Sequence, residues 1–352
     1  MIKANYQKHI LEFKRPSGTS RGVLKTKETW FLMLYKDGKW GIGECGILRG
    51  LSFDDRPDYE SKLAWTCKNI NLDKEILFDE LREFPSIQLG LETAFLSLES
   101  ETNPFELYPS KFTNATDAID INGLIWMGSE AFMKEQIEAK LKEGFHCIKM
   151  KIGAIDFDTE FKLLQSIRKD FSAQEIELRV DANGAFTPKE AMGKLEQLAS
   201  LELHSIEQPI KQGQWQEMAR LCEETPLPIA LDEELIGVVD ENEQEKLIET
   251  IQPQYIILKP SLVGGFTGSD RWISLAEKVN TGWWITSALE SNIGLNAIAQ
   301  YTYTKNSPLP QGLGTGSLYT NNIPSPLIVD NGKLHYSKSG DWQLKGIIQL
   351  NK

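Results

Sequence analysis

The chain has 352 residues, enough for one large domain or two modest ones, and 41% hydrophobic with 25% charged residues is an ordinary globular composition. A net charge of −12 and a pI near 5.0 argue against nucleic acid or an anionic membrane as a partner. No apolar run is long enough to span a bilayer, Met1–Tyr6 lacks a signal-peptide apolar region, and Cys45, Cys67, Cys147 and Cys222 form no CxxC pair. A cytosolic protein with free thiols is expected. His9, His146, His204 and His335 lack metal-ligand spacing, which disfavours zinc. The sequence carries no signal for an oligomeric state.

In chain order, Lys3–Phe13 and Glu28–Tyr35 alternate as strands, Asp37-Gly38 is a hairpin turn, and Trp40–Cys45 is a third strand. Residues 58–82 and 86–100 then read as helices. This is an α+β cap, not part of a barrel, and residues 1–115 are assigned to it. Residues 101–117, with Asn103-Pro104 and Tyr108-Pro109-Ser110, read as a linker.

From Ala118 the pattern changes. Ala118–Leu124 is strand-like, and Glu130–Glu143 is an amphipathic helix stopped by Gly144. Short, mostly apolar runs then end in charge: Lys149-Met150-Lys151, Asp181, Glu207, Asp232 and Lys259. The steps from 151 to 181, 207, 232 and 259 are 30, 26, 25 and 27 residues. A barrel of about 250 residues with eight βα units has a period of roughly 31, less when trimmed. Ile285-Thr286-Ser287 and Gln311–Gly314 supply further strand ends, giving about seven strands. The expected fold is α/β, a modified TIM barrel of (β/α)7β type over residues 116–320, with the N-terminal α+β cap. Residues 321–352, where strand-and-turn character resumes from Ile323 to Leu350, would return to the cap.

Charges at the C-terminal ends of successive barrel strands converge on the mouth, where active sites sit. Asp181, Glu207 and Asp232 would place three carboxylates in one cavity, where repulsion and desolvation disfavour them. A hard divalent cation resolves this, and an all-oxygen donor set favours Mg2+, with Mn2+ the alternative. Taken singly, each acid could instead be a helix N-cap, and Asp232-Glu233-Glu234 a solvated face.

Lys149 and Lys151 share one face of a strand, inward in a barrel, unless they mark a strand edge reaching solvent. Each lysine should lower the pKa of the other, leaving one usable as a base near neutral pH. Lys259 stands four strands on and would face Lys151 across the mouth. A metal between two opposed lysines suits removal of a proton next to a substrate carboxylate, with the enediolate held by the cations.

As a set these residues resemble the enolase superfamily, whose members use a lysine base with magnesium. The likeness covers nearly the whole chain. Lys149-Met150-Lys151 resembles the K-x-K motif of the muconate-cycloisomerase subgroup, and Asp181-Ala182-Asn183, Glu207-Gln208-Pro209 and Asp232-Glu233 resemble its metal-ligand motifs. Lys259-Pro260 resembles its lysine on the second face. Gly43–Ser52 resembles the G-E-x-x-P-L-P-G-F-S segment of the o-succinylbenzoate synthase family, with Ile47 and Arg49 in place of the prolines and Leu51 in place of Phe. Ile121–Ile125 resembles its first barrel strand, I-N-G-L-L.

The resemblance implies a small-molecule carboxylate substrate and a syn dehydration in menaquinone biosynthesis. In that reaction a succinyl-hydroxycyclohexadiene carboxylate becomes o-succinylbenzoate. Lys151 would take the α-proton, Lys259 would stabilise the enediolate, and Lys149 would tune Lys151. Asn183 and Glu233 would orient the ligands. Ser20–Lys27 and Leu48–Phe53 would be loops closing over the substrate, or plain surface loops. Ser287, Ser291, Asn292 and Gly312 are candidate substrate contacts; the helix start at Ser291-Asn292 could receive the succinyl carboxylate or be a simple N-cap. Within the same superfamily, dipeptide epimerases and N-succinylamino-acid racemases use opposed lysines equally well. A non-catalytic barrel is a third reading, which the presence of all three acids and all three lysines disfavours.

Overall fold

In the computed structural model, which describes residues 1–19, 22–101 and 103–344, the chain opens with three antiparallel strands. They are β1 (Lys3–Thr19), β2 (Gly22–Lys36) and β3 (Lys39–Gly46), in the order β1-β2-β3. Asp37 and Gly38 turn β2 into β3 with φ of 51° and 81°, the left-handed pair a tight hairpin needs. Pairing of β1 with β2 runs from Lys3↔Tyr35 to Thr19↔Gly22, with a register shift between Glu12 and Ser17. The hairpin is therefore much longer than the alternation in the sequence indicates. The stretch expected as the loop Ser20–Lys27 is β2 from Gly22 onward, and Ser20 and Arg21 lie outside the described residues.

Three helices follow: α1 (Tyr59–Lys68), α2 (Lys74–Glu80) and α3 (Pro85–Glu99). Residues 58–82 are thus two helices, broken where Asn69 and Asp73 offer the backbone polar alternatives. The helix α3 buries Ile87, Leu91, Ala94 and Leu98 against Trp30, Leu32, Leu34 and Cys45 of the sheet. Residues 103–117 are irregular, yet Phe105 and Phe112 are buried, so this segment is packed and not a free linker.

The expected first barrel strand is split. Ala118–Asp120, β4, pairs with a strand from the C-terminal end of the chain, and only β5 (Gly123–Ile125) joins the barrel. Then come α4 (Glu130–Lys142), β6 (Cys147–Lys151), α5 (Phe157–Asp170), β7 (Glu177–Asp181), α6 (Pro188–Ala199), β8 (Ser205–Glu207), α7 (Trp215–Glu224) and β9 (Ile229–Leu231). Next are α8 (Glu241–Ile251), β10 (Tyr255–Leu258), α9 (Gly265–Lys278), β11 (Gly282–Ile285) and α10 (Asn292–Thr304). Strands β5 to β11 form one parallel sheet in sequential order.

Gln311 and Gly312 close the curl. Gly312 N–H donates to Ile285 O (2.8 Å) and Ser287 N–H to Gly312 O (3.0 Å). On the other side Gln311 N–H donates to Asp120 O (2.8 Å) and Asn122 N–H to Gln311 O (3.0 Å). The architecture is a (β/α)7β barrel, as expected. Its lower interior holds Arg179, 1% exposed, between Glu177 and the ring of Trp284. The chain then runs through β12 (Leu327–Asp330) and β13 (Lys333–Tyr336), which order with β4 as β12-β13-β4. Beyond them Trp342 stacks on Phe105 (4.2 Å between centroids) beside Phe31 and Met33 of β2.

Cap and barrel are joined by two carboxylates on helix N-termini, Glu44 buried and Glu92 partly buried. Glu44 of β3 accepts from Ser291 N (2.8 Å), the Ser291 hydroxyl and Gly294 N (2.8 Å) at the start of α10. Glu92 of α3 accepts from Phe266 N and Thr267 N (3.0 Å) at the start of α9. Unpaired N–H groups and the helix dipole favour an anion at both places.

Candidate active site

The parallel registers Lys151↔Asp181 and Asp181↔Glu207 put charges from β6, β7 and β8 side by side at the top of the barrel. Asp232 follows β9 and Lys259 follows β10. Strands β6 and β10 are four positions apart in the closed barrel, so Lys151 and Lys259 stand on opposite walls. Above them is a cavity of about 250 Å³, lined among others by Lys149, Lys151, Asp181, Asn183, Asp232, Glu233 and Lys259. Asp181, Glu207 and Asp232 are 1%, 2% and 2% exposed.

The lysines neutralise these acids directly. Lys149 Nζ donates to Glu207 Oε2 and lies 3.1 Å from Asp181 Oδ2. Lys151 Nζ donates to Asp181 Oδ2 (2.7 Å) and Asn183 Oδ1 (2.8 Å). Lys259 Nζ donates to Asp232 Oδ2, with Glu207 Oε1 at 3.6 Å. Burial works against the Lys149 charge, but Asp181 and Glu207 outweigh it and hold its pKa above the usual lysine value. Lys259 is raised the same way, against burial, by Asp232 and Glu207. For Lys149 and Lys259, as the side chains stand, carboxylate attraction exceeds both burial and ammonium repulsion. Burial also opposes the Asp181 charge, and the three lysines overcome it and hold Asp181 low. Asp232 goes the other way, pushed up by burial, with Glu233 and Glu207 adding repulsion to what Lys259 relieves.

As the side chains stand, no three acids, histidines or cysteines among the described residues converge on one point, because ammonium groups lie between them. The donor chemistry nonetheless fits a hard divalent cation. Three buried carboxylates come from consecutive strand ends, and Glu207 Oε1 is buried without a hydrogen-bond partner. Neighbouring groups hold these acids in place. Asn183, at φ 44°, donates from its amide to Glu233 Oε1 (3.0 Å). Gln208, which sequence reasoning did not single out, donates to Ile210 O (3.0 Å) and Glu234 Oε2 (3.0 Å) and accepts from Asp232 N (3.3 Å) and Glu234 N (3.2 Å). It thereby ties the end of β8 to the turn carrying Asp232. Its place in Glu207-Gln208-Pro209 was its one signal.

Apolar side chains cover much of the cavity: Leu24 of the long hairpin, Leu48 and Leu51 on either side of Arg49, Leu124 in β5, Trp126 just after it, Leu289 and Leu318. Arg49, where the resembled segment has proline, fastens residues 48–53 to the hairpin. It donates to Glu28 Oε2 (2.6 Å) and Asp55 Oδ1 (2.5 Å). Ser287 and Gly312 line the cavity, and the Ser287 hydroxyl shares a hydrogen bond with that of Thr315 (2.7 Å). Ser291 and Asn292 do not line it. Their helix start already holds Glu44, and the Asn292 amide donates to Ile323 O (2.7 Å), so no ligand carboxylate docks there. The sequence could not show that the anion for α10 comes from β3.

No helix among the described residues is long and apolar enough to cross a membrane. The model of the family described as "Enolase C-terminal domain-like" matches residues 132–340. The o-succinylbenzoate synthase of Desulfotalea psychrophila is 48% identical, over 96% of this chain and 99% of that protein. The crystal structure of MenC from Desulfotalea psychrophila LSv54 superposes with a TM-score of 0.84 at 44% identity, over 95% of this chain and 99% of the other. The L-Ala-D/L-Glu epimerase of Bacillus subtilis is more distant, at 26% identity over 87% and 85% of the two chains. The chain belongs to the enolase superfamily, a family of enzymes.

Proposed function

We propose that this protein is an o-succinylbenzoate synthase that dehydrates a succinyl-hydroxycyclohexadiene carboxylate in the cytoplasm, as a step of menaquinone biosynthesis. The observation that carries the reading is the opposed pair Lys151 and Lys259 over three buried carboxylates, in a chain 48% identical to such a synthase along nearly its whole length. Asp181, Glu207 and Asp232 would hold Mg2+, or Mn2+, with Asn183, Glu233 and Gln208 fixing their orientation. The ion, when bound, supplies positive charge to the substrate carboxylate and makes its α-proton more acidic.

Lys151 then takes that proton, and the Lys259 ammonium faces the charge that develops on the enediolate. Lys149, two residues before Lys151 on the same strand face, would contact an oxygen of the substrate carboxylate. The protonated Lys151 returns its proton to the departing hydroxyl on the same face. The C–H and C–O bonds break, water leaves, and the ring becomes aromatic. The apolar side chains of Leu24, Leu48, Leu51, Trp126, Leu289 and Leu318 would keep bulk water from the reacting carbon.

One feature of the cavity separates the synthase from a dipeptide epimerase. A dipeptide has a free ammonium group, and the acids lining this cavity are Asp181, Asp232 and Glu233, all at the metal-site end. Among the described residues nothing acidic lines the rest, so an ammonium group there would be buried unpaired. An N-succinylamino acid has no such group and meets the same walls, so racemization of these compounds is the second reading. Incubation with each class in deuterated water tests both: exchange at the α-carbon of dipeptides exceeding conversion of the cyclohexadiene would overturn the proposal.

A further inference from the structure

The turn between β11 and α10 presents Ser287, Ala288 and Leu289 to the cavity. Leu289 has φ 62°, a left-handed conformation that a leucine adopts only when its surroundings impose it. Its own residues do not supply the constraint. Tyr319 donates its hydroxyl to Leu289 O (2.6 Å) from the far side. Glu44, from the cap, takes Ser291 N and Gly294 N, and is itself steadied by the Thr29 hydroxyl (2.9 Å). Glu290, fully buried, accepts from the Ser261 hydroxyl through Oε1 (2.6 Å).

Two charged atoms in this cluster, Lys27 Nζ and Glu290 Oε2, lack a hydrogen-bond partner among the described residues. Lys27 of β2 is 3% exposed with Nζ buried, and Glu290 is 0% exposed with Oε2 buried. Both are packed round glycines. A side chain at Gly46 would meet Lys27 Nζ at 2.5 Å and Glu44 Oε1 at 3.6 Å; one at Gly294 would meet Glu290 Cγ at 2.8 Å and Glu44 Oε2 at 2.9 Å. Gly46 and Gly294 thus gather one cap cation, Lys27, a cap carboxylate, Glu44, and a barrel carboxylate, Glu290, into one buried cluster without direct ion-pair contact among the described residues. Burial pushes the Glu290 carboxyl up, and the Lys27 charge opposes that rise. An isolated charge in such a place is costly, and each of these offsets the cost of the other.

We propose that Lys27 and Glu290 are positioning residues, a buried pair of opposite charges across the cap–barrel junction that holds Ala288 and Leu289 against the substrate. Neither touches Lys151 or Lys259, so their effect falls on how tightly the ligand is held and not on the proton transfers. The choice of ligand rests on the synthase reading; the geometry of the pair does not.

The test measures o-succinylbenzoate binding, with magnesium present, by quenching of tryptophan fluorescence, Trp126 being in the cavity wall. It is read alongside kcat and KM for the cyclohexadiene substrate. Lys27→Met strands Glu290 and is expected to weaken binding and raise KM at least about tenfold, with kcat within about twofold. The double variant Lys27→Met/Glu290→Gln removes both charges and is expected to recover binding to within about threefold of wild type. Unchanged binding in Lys27→Met, a double variant no better than the single one, or a parallel loss of kcat would overturn the proposal. If Lys27→Met does not fold, the double variant decides: folded and tight-binding supports the pair, unfolded refutes it. A wild-type protein that binds o-succinylbenzoate without turning over the cyclohexadiene would sink the synthase reading and leave this test intact.

Discussion

Asp54 is fully buried where residues 48–55 meet α3, and replacing it with asparagine should separate charge from shape. Its Oδ2 accepts from Ser86 N (2.9 Å) and the Ser86 hydroxyl (2.6 Å), and Ser86 in turn bonds Tyr59 (2.7 Å). The start of α3 favours the carboxylate, but burial wins and pushes the Asp54 pKa from 3.8 to about 7. The folded state therefore prefers the protonated acid. Its contribution is fully present below pH 3.8 and is lost as pH rises to about 7. Between pH 5.5 and about 7 the unfolded acid is ionised while the folded one keeps its proton, roughly 1.5 units at about 1.36 kcal/mol per unit, or about 2 kcal/mol, and above 7 the loss levels off. Asp54→Asn keeps an acceptor for Ser86 and cannot ionise. Its stability relative to wild type should rise by about 2 kcal/mol between pH 5.5 and 8.0. Urea unfolding of both proteins at the two pH values measures the gap, and titration of other groups, common to both, cancels. A gap that is constant, or that narrows at pH 8.0, refutes the reasoning.

Lys151→Ala and Lys259→Ala should each lower turnover of the cyclohexadiene by roughly 10²–10⁴ while the proteins stay folded, and full activity in Lys259→Ala would contradict its cationic role. Magnesium should raise the melting temperature of the wild type, by the equivalent of about 2.7 kcal/mol at a hundredfold excess over its dissociation constant. Glu207→Gln should abolish that shift, and a shift of equal size in the variant would exclude Glu207 as a ligand. Glu92→Gln leaves one N–H at the start of α9 without its acceptor and should cost about 1–2 kcal/mol in urea unfolding, against a few tenths if that carboxylate is dispensable.

The residues at the strand ends were readable because position and chemistry coincide there. A charge closing an apolar run has few explanations, and five at one period have fewer. What escaped notice depends on contacts between distant segments. Ala118–Asp120 looks like barrel strand but pairs with β13, over two hundred residues on, and nothing local distinguishes it from Gly123–Ile125. The extension of the hairpin to Thr19 and Gly22 has no alternation to announce it, because that part crosses the mouth of the barrel and is not laid on a core; Phe13 bridges Tyr319 and Gly18 bridges Met127. Ser291 looked free to bind an anion because Glu44 is 247 residues away. Arg179 and Glu290 are buried charges that meet groups from other elements, Pro310 O and the Trp284 ring in one case and the Ser261 hydroxyl in the other, so each alone reads as surface.

The most direct test of the synthase assignment is turnover of the succinyl-hydroxycyclohexadiene carboxylate by the purified protein, followed by loss of its absorbance with magnesium and again with EDTA. Rapid conversion to o-succinylbenzoate that EDTA abolishes is the predicted result. No conversion by a folded, magnesium-binding protein would contradict it.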